Sequence, residues 1–226
     1  MIPLRDNNPR HGFPIVTLTL ILANCAVFFR EVAASEAALN AMFESYALIP
    51  ARTTAFFAGR PVPASEALFP FLTSMFLHGG WMHLIGNMWF LWIFGDNVED
   101  RTGRLRYLLL YFASGLAGAV GHVLFSANSA VPTVGASGAI AGVMGAYMVT
   151  FPHARILTLV PIIFFLTTVE IPAFLILLYW LVLQFFSGAA SLGADASQGG
   201  VAWFAHVGGF MMGIPLMLLL RRRTRR

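Results

Sequence analysis

A chain of 226 residues that is 58% hydrophobic and only 11% charged, with a mean hydropathy of +0.75, is excluded from the soluble globular class, where about a quarter of residues carry charge. All fourteen basic residues are arginine, and five of them form Arg221-Arg222-Arg223-Thr224-Arg225-Arg226 directly after an apolar segment. That layout reads as a cytoplasmic anchor against anionic lipid, with a nucleic-acid surface a poor second, while the single cysteine, Cys25, excludes an internal disulfide or thiolate cluster. In chain order, residues 1–13 read as a short polar tail, and the apolar run from Pro14 lacks a small-residue cleavage site, so it is expected to stay as a first span. Further apolar segments follow at 81–98, 105–125, 137–152, 171–187 and 202–220, after the first at 14–30.

The connection 31–80 is long and apolar for a loop. Ala47-Leu48-Ile49-Pro50 and Leu68-Phe69-Pro70-Phe71 predict a partly embedded structure, because irregular backbone at membrane depth must be buried in protein. Residues 156–169 are apolar but short and contain Pro161, which predicts an interfacial lead-in to the fifth span. Gly188 to Val201 is rich in Gly, Ala and Ser and reads as a loose loop. Six spans put both termini on one side. With that side cytoplasmic, Arg5, Arg10, Arg101, Arg104, Arg106, Arg155 and the arginine tail lie inside, leaving only Arg30, Arg52 and Arg60 outside. The expected fold is an all-α membrane protein, a six-transmembrane-helix bundle in a single domain over 1–226 with a core of about 14–220.

With this topology the second, fourth and sixth spans all begin at the outer face. Ser137 opens the fourth, His206 lies in the first turns of the sixth, and His83 and Asn87 share one face of the second at i and i+4. Four polar side chains on three helices therefore meet at one depth, where an unpaired polar group is expensive. His206 can take the Ser137 proton and return it to a leaving group. The Ser137 backbone N–H starts a helix and faces a developing oxyanion, to which His83 and Asn87 add donors. Of the ten acids only Asp195 lies near His206 in sequence, within the loose loop, so the expected machine is a Ser–His dyad. Gly138, Gly142, Gly145 and Ala141 pattern the fourth span, and Gly209-x-x-x-Gly213 the sixth, which predicts close backbone packing.

Single residues also carry plainer readings. Gly135-Ala136-Ser137-Gly138 alone is a packing or capping turn, Asn87 alone interhelical glue, and Trp81, Trp89 and Trp92 interface filling. His78, His83 and His206 could instead bind a metal. A non-catalytic binder of membrane helices is the other alternative, against which the presence of both Ser137 and His206 argues. No cofactor or metal is expected.

Taken together, these residues resemble the rhomboid intramembrane serine proteases. His78-Gly79-Gly80-Trp81-Met82-His83-Leu84-Ile85-Gly86-Asn87 is similar to the family's histidine-to-asparagine segment. Glu99-Asp100-Arg101 is similar to its Glu-x-Arg element, Gly135-Ala136-Ser137-Gly138 to the nucleophile motif, and Ala205-His206-Val207-Gly208-Gly209 through Gly213 to the base-bearing helix. The resemblance implies Ser137 as nucleophile, His206 as general base, and His83, Asn87 and the Ser137 backbone at the oxyanion. It implies a six-helix bundle around a cavity open to the outer side, with transmembrane protein substrates admitted past the fifth helix from the lipid bilayer. It also implies the six-span bacterial form in the inner membrane, both termini cytoplasmic and no seventh helix. Two positions depart from some members: Phe69-Pro70 replaces a Trp-Arg pair, and Ala141 replaces a Tyr that packs beneath the histidine. Another group must then orient His206.

Overall fold

Apolar stretches of membrane length become helices, and proline or glycine punctuates them. The computed structural model describes residues 1–162, 165–191 and 201–221. Helix α1 (Ile15–Ala33) starts after Pro14. Its unpaired first-turn amides meet a carboxylate from elsewhere in the chain: Glu99 accepts from Val16 N at 3.0 Å and from Thr17 N and Oγ1, each at 2.8 Å. Glu99 belongs to α6 (Trp81–Thr102), and Gly103, at φ 83°, turns the chain directly into α7 (Arg104–Phe125). Helices α8 (Ser137–Thr150), α9 (Ala173–Ser191) and α10 (Trp203–Leu220) follow.

Among the described residues α1, α7, α9 and α10 are long and apolar enough to cross a membrane. Helix α6 is as long as α7 but ends in Asp96, Glu99, Asp100 and Arg101. At 14 residues α8 is only about 21 Å long, short of a hydrocarbon core of about 30 Å. The loop before α8 therefore reaches down among its neighbours, and the 31–80 connection braces it. That connection folds as α2 (Glu36–Tyr46), α3 (Pro50–Phe57), α4 (Ala64–Leu68), α5 (Pro70–Thr73) and a 3₁₀ turn at Ser74–Phe76. It buries Ala47, Leu48, Ala67, Met75 and Leu77. Leu48 and Thr133 exchange backbone hydrogen bonds of 3.0 and 2.8 Å, and Gly135 N donates to Ser74 O at 2.8 Å.

The all-α expectation needs correction, because the described residues include a three-stranded antiparallel sheet in the order β1-β2-β3. The stretch read as an interfacial lead-in forms a hairpin, β2 (Arg155–Ile162) and β3 (Phe165–Pro172), with Thr158 opposite Val169 and Ile156 opposite Ile171. Its Ile, Thr and Val residues favour extended backbone, and a run too short for a spanning helix suffices for two strands. The tail 1–13 is not merely a tail: β1 (Ile2–Asp6) pairs with β2, Ile2 opposite Leu159 and Asp6 opposite Ile156. Asp6 accepts from Tyr147 Oη at 2.6 Å and from Asn97 Nδ2 at 2.9 Å, and Trp89 Nε1 donates to Pro3 O at 2.6 Å. Strand β1 thus runs along α6 from Trp89 towards Asn97. Met1 and Pro3 share a cavity with Phe90 and Phe94 of α6 and Leu177 and Trp180 of α9.

Helix α10 packs mainly against α7 and α8, and glycine sets how closely. A Cβ on Gly209 would collide with the Gly138 carbonyl, and one on Gly213 with the Gly142 carbonyl. On α8, a Cβ at Gly142 would strike the Ser114 side chain of α7, and at Gly145 the Phe210 carbonyl. The three helices touch backbone to backbone in the manner that small-xxx-small spacing permits. This contact carries the first residue of α8 up to the first turn of α10.

Candidate active site

Ser137 is the first residue of α8, so its N–H has no acceptor one turn earlier within the helix. His206 is the fourth residue of α10 and is buried. The helix contact brings His206 Nε2 to 2.8 Å from Ser137 Oγ, hydrogen-bond distance for a nucleophile and base. The other ring nitrogen, Nδ1, lies 2.5 Å from Oε1 of Gln184 on α9. The imidazole packs against Trp180, with centroids 5.6 Å apart, and edge-on to Trp203 at 6.3 Å. Ala141 is fully buried one turn below Ser137, and the aromatic support of His206 comes from α9 and α10 instead.

Across a cavity of about 620 Å³, α6 presents His83 and Asn87 to the same space as Ser137, His206, Trp180 and Gln184. His83 Nδ1 accepts from Gly79 N at 3.4 Å, which leaves Nε2 as the protonated nitrogen of a neutral ring. Asn87 Nδ2 is buried with no hydrogen-bond partner among the described residues. A buried donor without an acceptor is unfavourable by about 1–3 kcal/mol, so this amide is held in reserve for something in the cavity. Gly135 makes the arrangement possible. Its φ is +125°, and a Cβ there would lie 2.6 Å from His83 Nε2 and 3.5 Å from Asn87 Nδ2.

The four residues singled out from the sequence therefore line one cavity, and Gly135, Gly138, Gly209 and Gly213 sit at the close approaches around it. The metal alternative fares differently. The His78 and His83 rings are 5.2 Å apart and His78 packs edge-on to Phe28 at 6.4 Å, but no group of three potential ligands gathers among the described residues. Asp195 lies outside the described residues, as does Arg222–Arg226. Sequence reasoning missed Gln184 and Trp180. The signal was present in Leu177, Trp180, Gln184 and Gly188, spaced to share one face of α9, with Gln184 the one amide side chain in that helix.

Comparison with known proteins adds to this geometry. The sequence profile of the Rhomboid domain matches residues 65–223, and the chain belongs to the rhomboid family. It is 34% identical to the mitochondrial Rhomboid protein 1 of Saccharomyces cerevisiae over 145 residues, which cover 62% of this chain and 38% of that protein. It is 43% identical to Rhomboid protease GluP of Bacillus subtilis over 77 residues, 34% of this chain and 15% of that one. With Presenilin-associated rhomboid-like protein A, mitochondrial, of Danio rerio the identity is 33% over 144 residues, 61% of this chain and 37% of the relative. The chain thus spans well under half the length of these relatives. Family membership and the apolar helices make it a multi-pass membrane protein.

Proposed function

We propose that the chain is an intramembrane serine endopeptidase that cleaves membrane-spanning proteins. The observation that carries the reading is the 2.8 Å approach of Ser137 Oγ to His206 Nε2 inside a cavity that also holds the Asn87 amide, which has no partner for Nδ2 among the described residues. In the proposed reaction Ser137 Oγ attacks the peptide carbonyl carbon as its proton passes to His206 Nε2. The carbonyl oxygen becomes an oxyanion facing His83 Nε2–H, Asn87 Nδ2–H and the Ser137 N–H. His206 then protonates the amide nitrogen as the C–N bond breaks, leaving an ester on Ser137. A water attacks that ester, gives its proton to Nε2, and Ser137 recovers a proton as the acyl group leaves.

The proposed topology has six crossings, with α6 and α8 joining the four long apolar helices and both termini cytoplasmic in a bacterial inner membrane. The arginine distribution supports it. The cavity then opens towards the outer side, and cleavage falls near the outer end of a substrate span. Incubation of the detergent-solubilised protein with a model transmembrane substrate tests the reading. Wild type is expected to cleave and Ser137→Ala to lose at least about a thousandfold in rate. Equal cleavage by both, or equal labelling of both by a fluorophosphonate probe, would overturn it.

A further inference from the structure

A serine–histidine pair works only if the imidazole presents a lone pair to the hydroxyl, and a neutral imidazole has two tautomers of similar energy. The partner of the second nitrogen decides between them. On His206 that partner is Oε1 of Gln184, 2.5 Å from Nδ1. An amide oxygen can only accept, so Nδ1 carries the hydrogen and the lone pair on Nε2 points at Ser137 Oγ. Gln184 is 7% exposed, and its helix is otherwise apolar from Ala173 to Phe186. It has a single polar task among the described residues: its recorded hydrogen bond is the one to His206. Trp180 lies one turn earlier on the same face of α9 and packs on the imidazole ring. One helix thereby fixes both the ring plane and the tautomer.

We infer that Gln184 is the positioning residue of the site, the neutral third member of a Ser137–His206–Gln184 chain of hydrogen bonds. This inference rests on the serine-protease reading. When the Ser137 proton arrives on Nε2, the ring becomes a cation whose Nδ1–H is already committed to Gln184 Oε1. No proton moves to the amide, and no group has to reorient as charge develops. A neutral acceptor stabilises that cation less than a carboxylate would, but it also avoids burying an anion in a helix surrounded by Leu, Phe and Val. The chain of hydrogen bonds also spans a helix boundary. Ser137 and His206 are joined by the glycine-lined contact of α8 and α10, whereas Gln184 arrives on α9, the least buried of the four long apolar helices among the described residues. Base orientation therefore depends on α9 being docked against α10, where Gly188 lies close to the Trp203 and Phe204 side chains.

The test compares the full-length protein with Gln184→Met, which keeps the volume but removes the acceptor, and Gln184→Glu, which keeps the acceptor. Histidine labelled with ¹⁵N, with the His206 signals assigned by their loss in His206→Phe, reports the tautomer. The expected wild-type signal is a protonated Nδ1, and in Gln184→Met that preference is lost. The fluorophosphonate labelling rate should fall about ten- to a hundredfold in Gln184→Met, with the thermal midpoint little changed. Gln184→Glu should restore labelling, with the rise of rate displaced to higher pH because the carboxylate holds the imidazolium proton. Wild-type His206 protonated at Nε2 instead would overturn the assignment without any variant having to fold. So would Gln184→Met with an unchanged tautomer and labelling rate. If Ser137→Ala is labelled like wild type, the protease reading falls separately, and the tautomer measurement still decides whether Gln184 positions His206.

Discussion

Polar atoms on three helices keep hydrogen-bonding capacity for the cavity. His83 uses Nδ1 on Gly79 and keeps Nε2–H, while Asn87 keeps Nδ2 entirely. Asn87 is the sharper case, because its amide is buried without any internal reward. Asn87→Ala should therefore lower kcat by about 10²–10³, the effect of removing one oxyanion donor, while leaving the thermal midpoint unchanged or slightly raised, since an unsatisfied buried donor is removed. Turnover of a transmembrane substrate and a thermal melt in the same detergent read the two effects. A large fall in midpoint would assign Asn87 to packing instead. His206, His83 and Asn87 stood out in the sequence because each interrupts an apolar helix, and Ser137 because it opens one, where a polar residue needs a reason. Gln184 interrupts α9 in the same way, but nothing in the chain order reveals that its helix faces His206. That is a tertiary fact, and it had to come from the structure.

At the scale of elements, the spans at 14–30, 105–125, 171–187 and 202–220 were legible as apolar runs, and their helices begin and end within a few residues of those bounds. The sheet was not legible. Residues 156–169 have the hydropathy of lipid-facing chain, and only their β-branched composition distinguishes a hairpin from a surface helix. Strand β1 was hidden further, since a polar, proline-containing segment becomes a strand only because β2 offers it an edge. The α8–α10 contact is where sequence pattern and geometry meet most directly. A Cβ at Gly209 would overlap the Gly138 carbonyl, which is backbone and cannot swing aside. Gly209→Leu should push α10 off α8, lower the thermal midpoint, and destabilise the protein by about 3 kcal/mol or more, the overpacking range and beyond. It should also abolish fluorophosphonate labelling in any fraction that remains folded, because the Ser137–His206 distance is set by that contact. Gly86→Ala is a fair control, because a Cβ there would meet nothing within 4 Å.

For the whole molecule, the question is what closes the face between α6 and α9, since these two helices barely touch one another among the described residues. Strand β1 and its hairpin occupy that face, and Asp6 ties them to the bundle through Tyr147 of α8 and Asn97 of α6. Burial pushes the Asp6 carboxyl up to about 6, with Asp96 adding to the rise, although the Tyr147 hydroxyl bond acts the other way. The folded state therefore holds the Asp6 proton more tightly than the unfolded chain does, where an aspartate titrates near 4. Its contribution to stability is complete below about pH 4, declines as pH rises towards 6, and is constant above that, since the unfolded state releases the proton first. After allowance for the partial exposure of the carboxyl, the change amounts to about 1–2 kcal/mol. Asp6→Asn keeps an acceptor for Tyr147 and cannot ionise, so its unfolding free energy should lack this decline while other acids continue to titrate. Denaturant unfolding of both proteins at several pH values between 4 and 7 measures the difference. Parallel curves would mean that β1 is held by its pairing with β2 and by the Trp89–Pro3 bond, with Asp6 a bystander. A steeper loss in wild type would mean that the tether between sheet and bundle loosens as the carboxyl ionises, at the face where α9 must stay docked for Gln184 to reach His206.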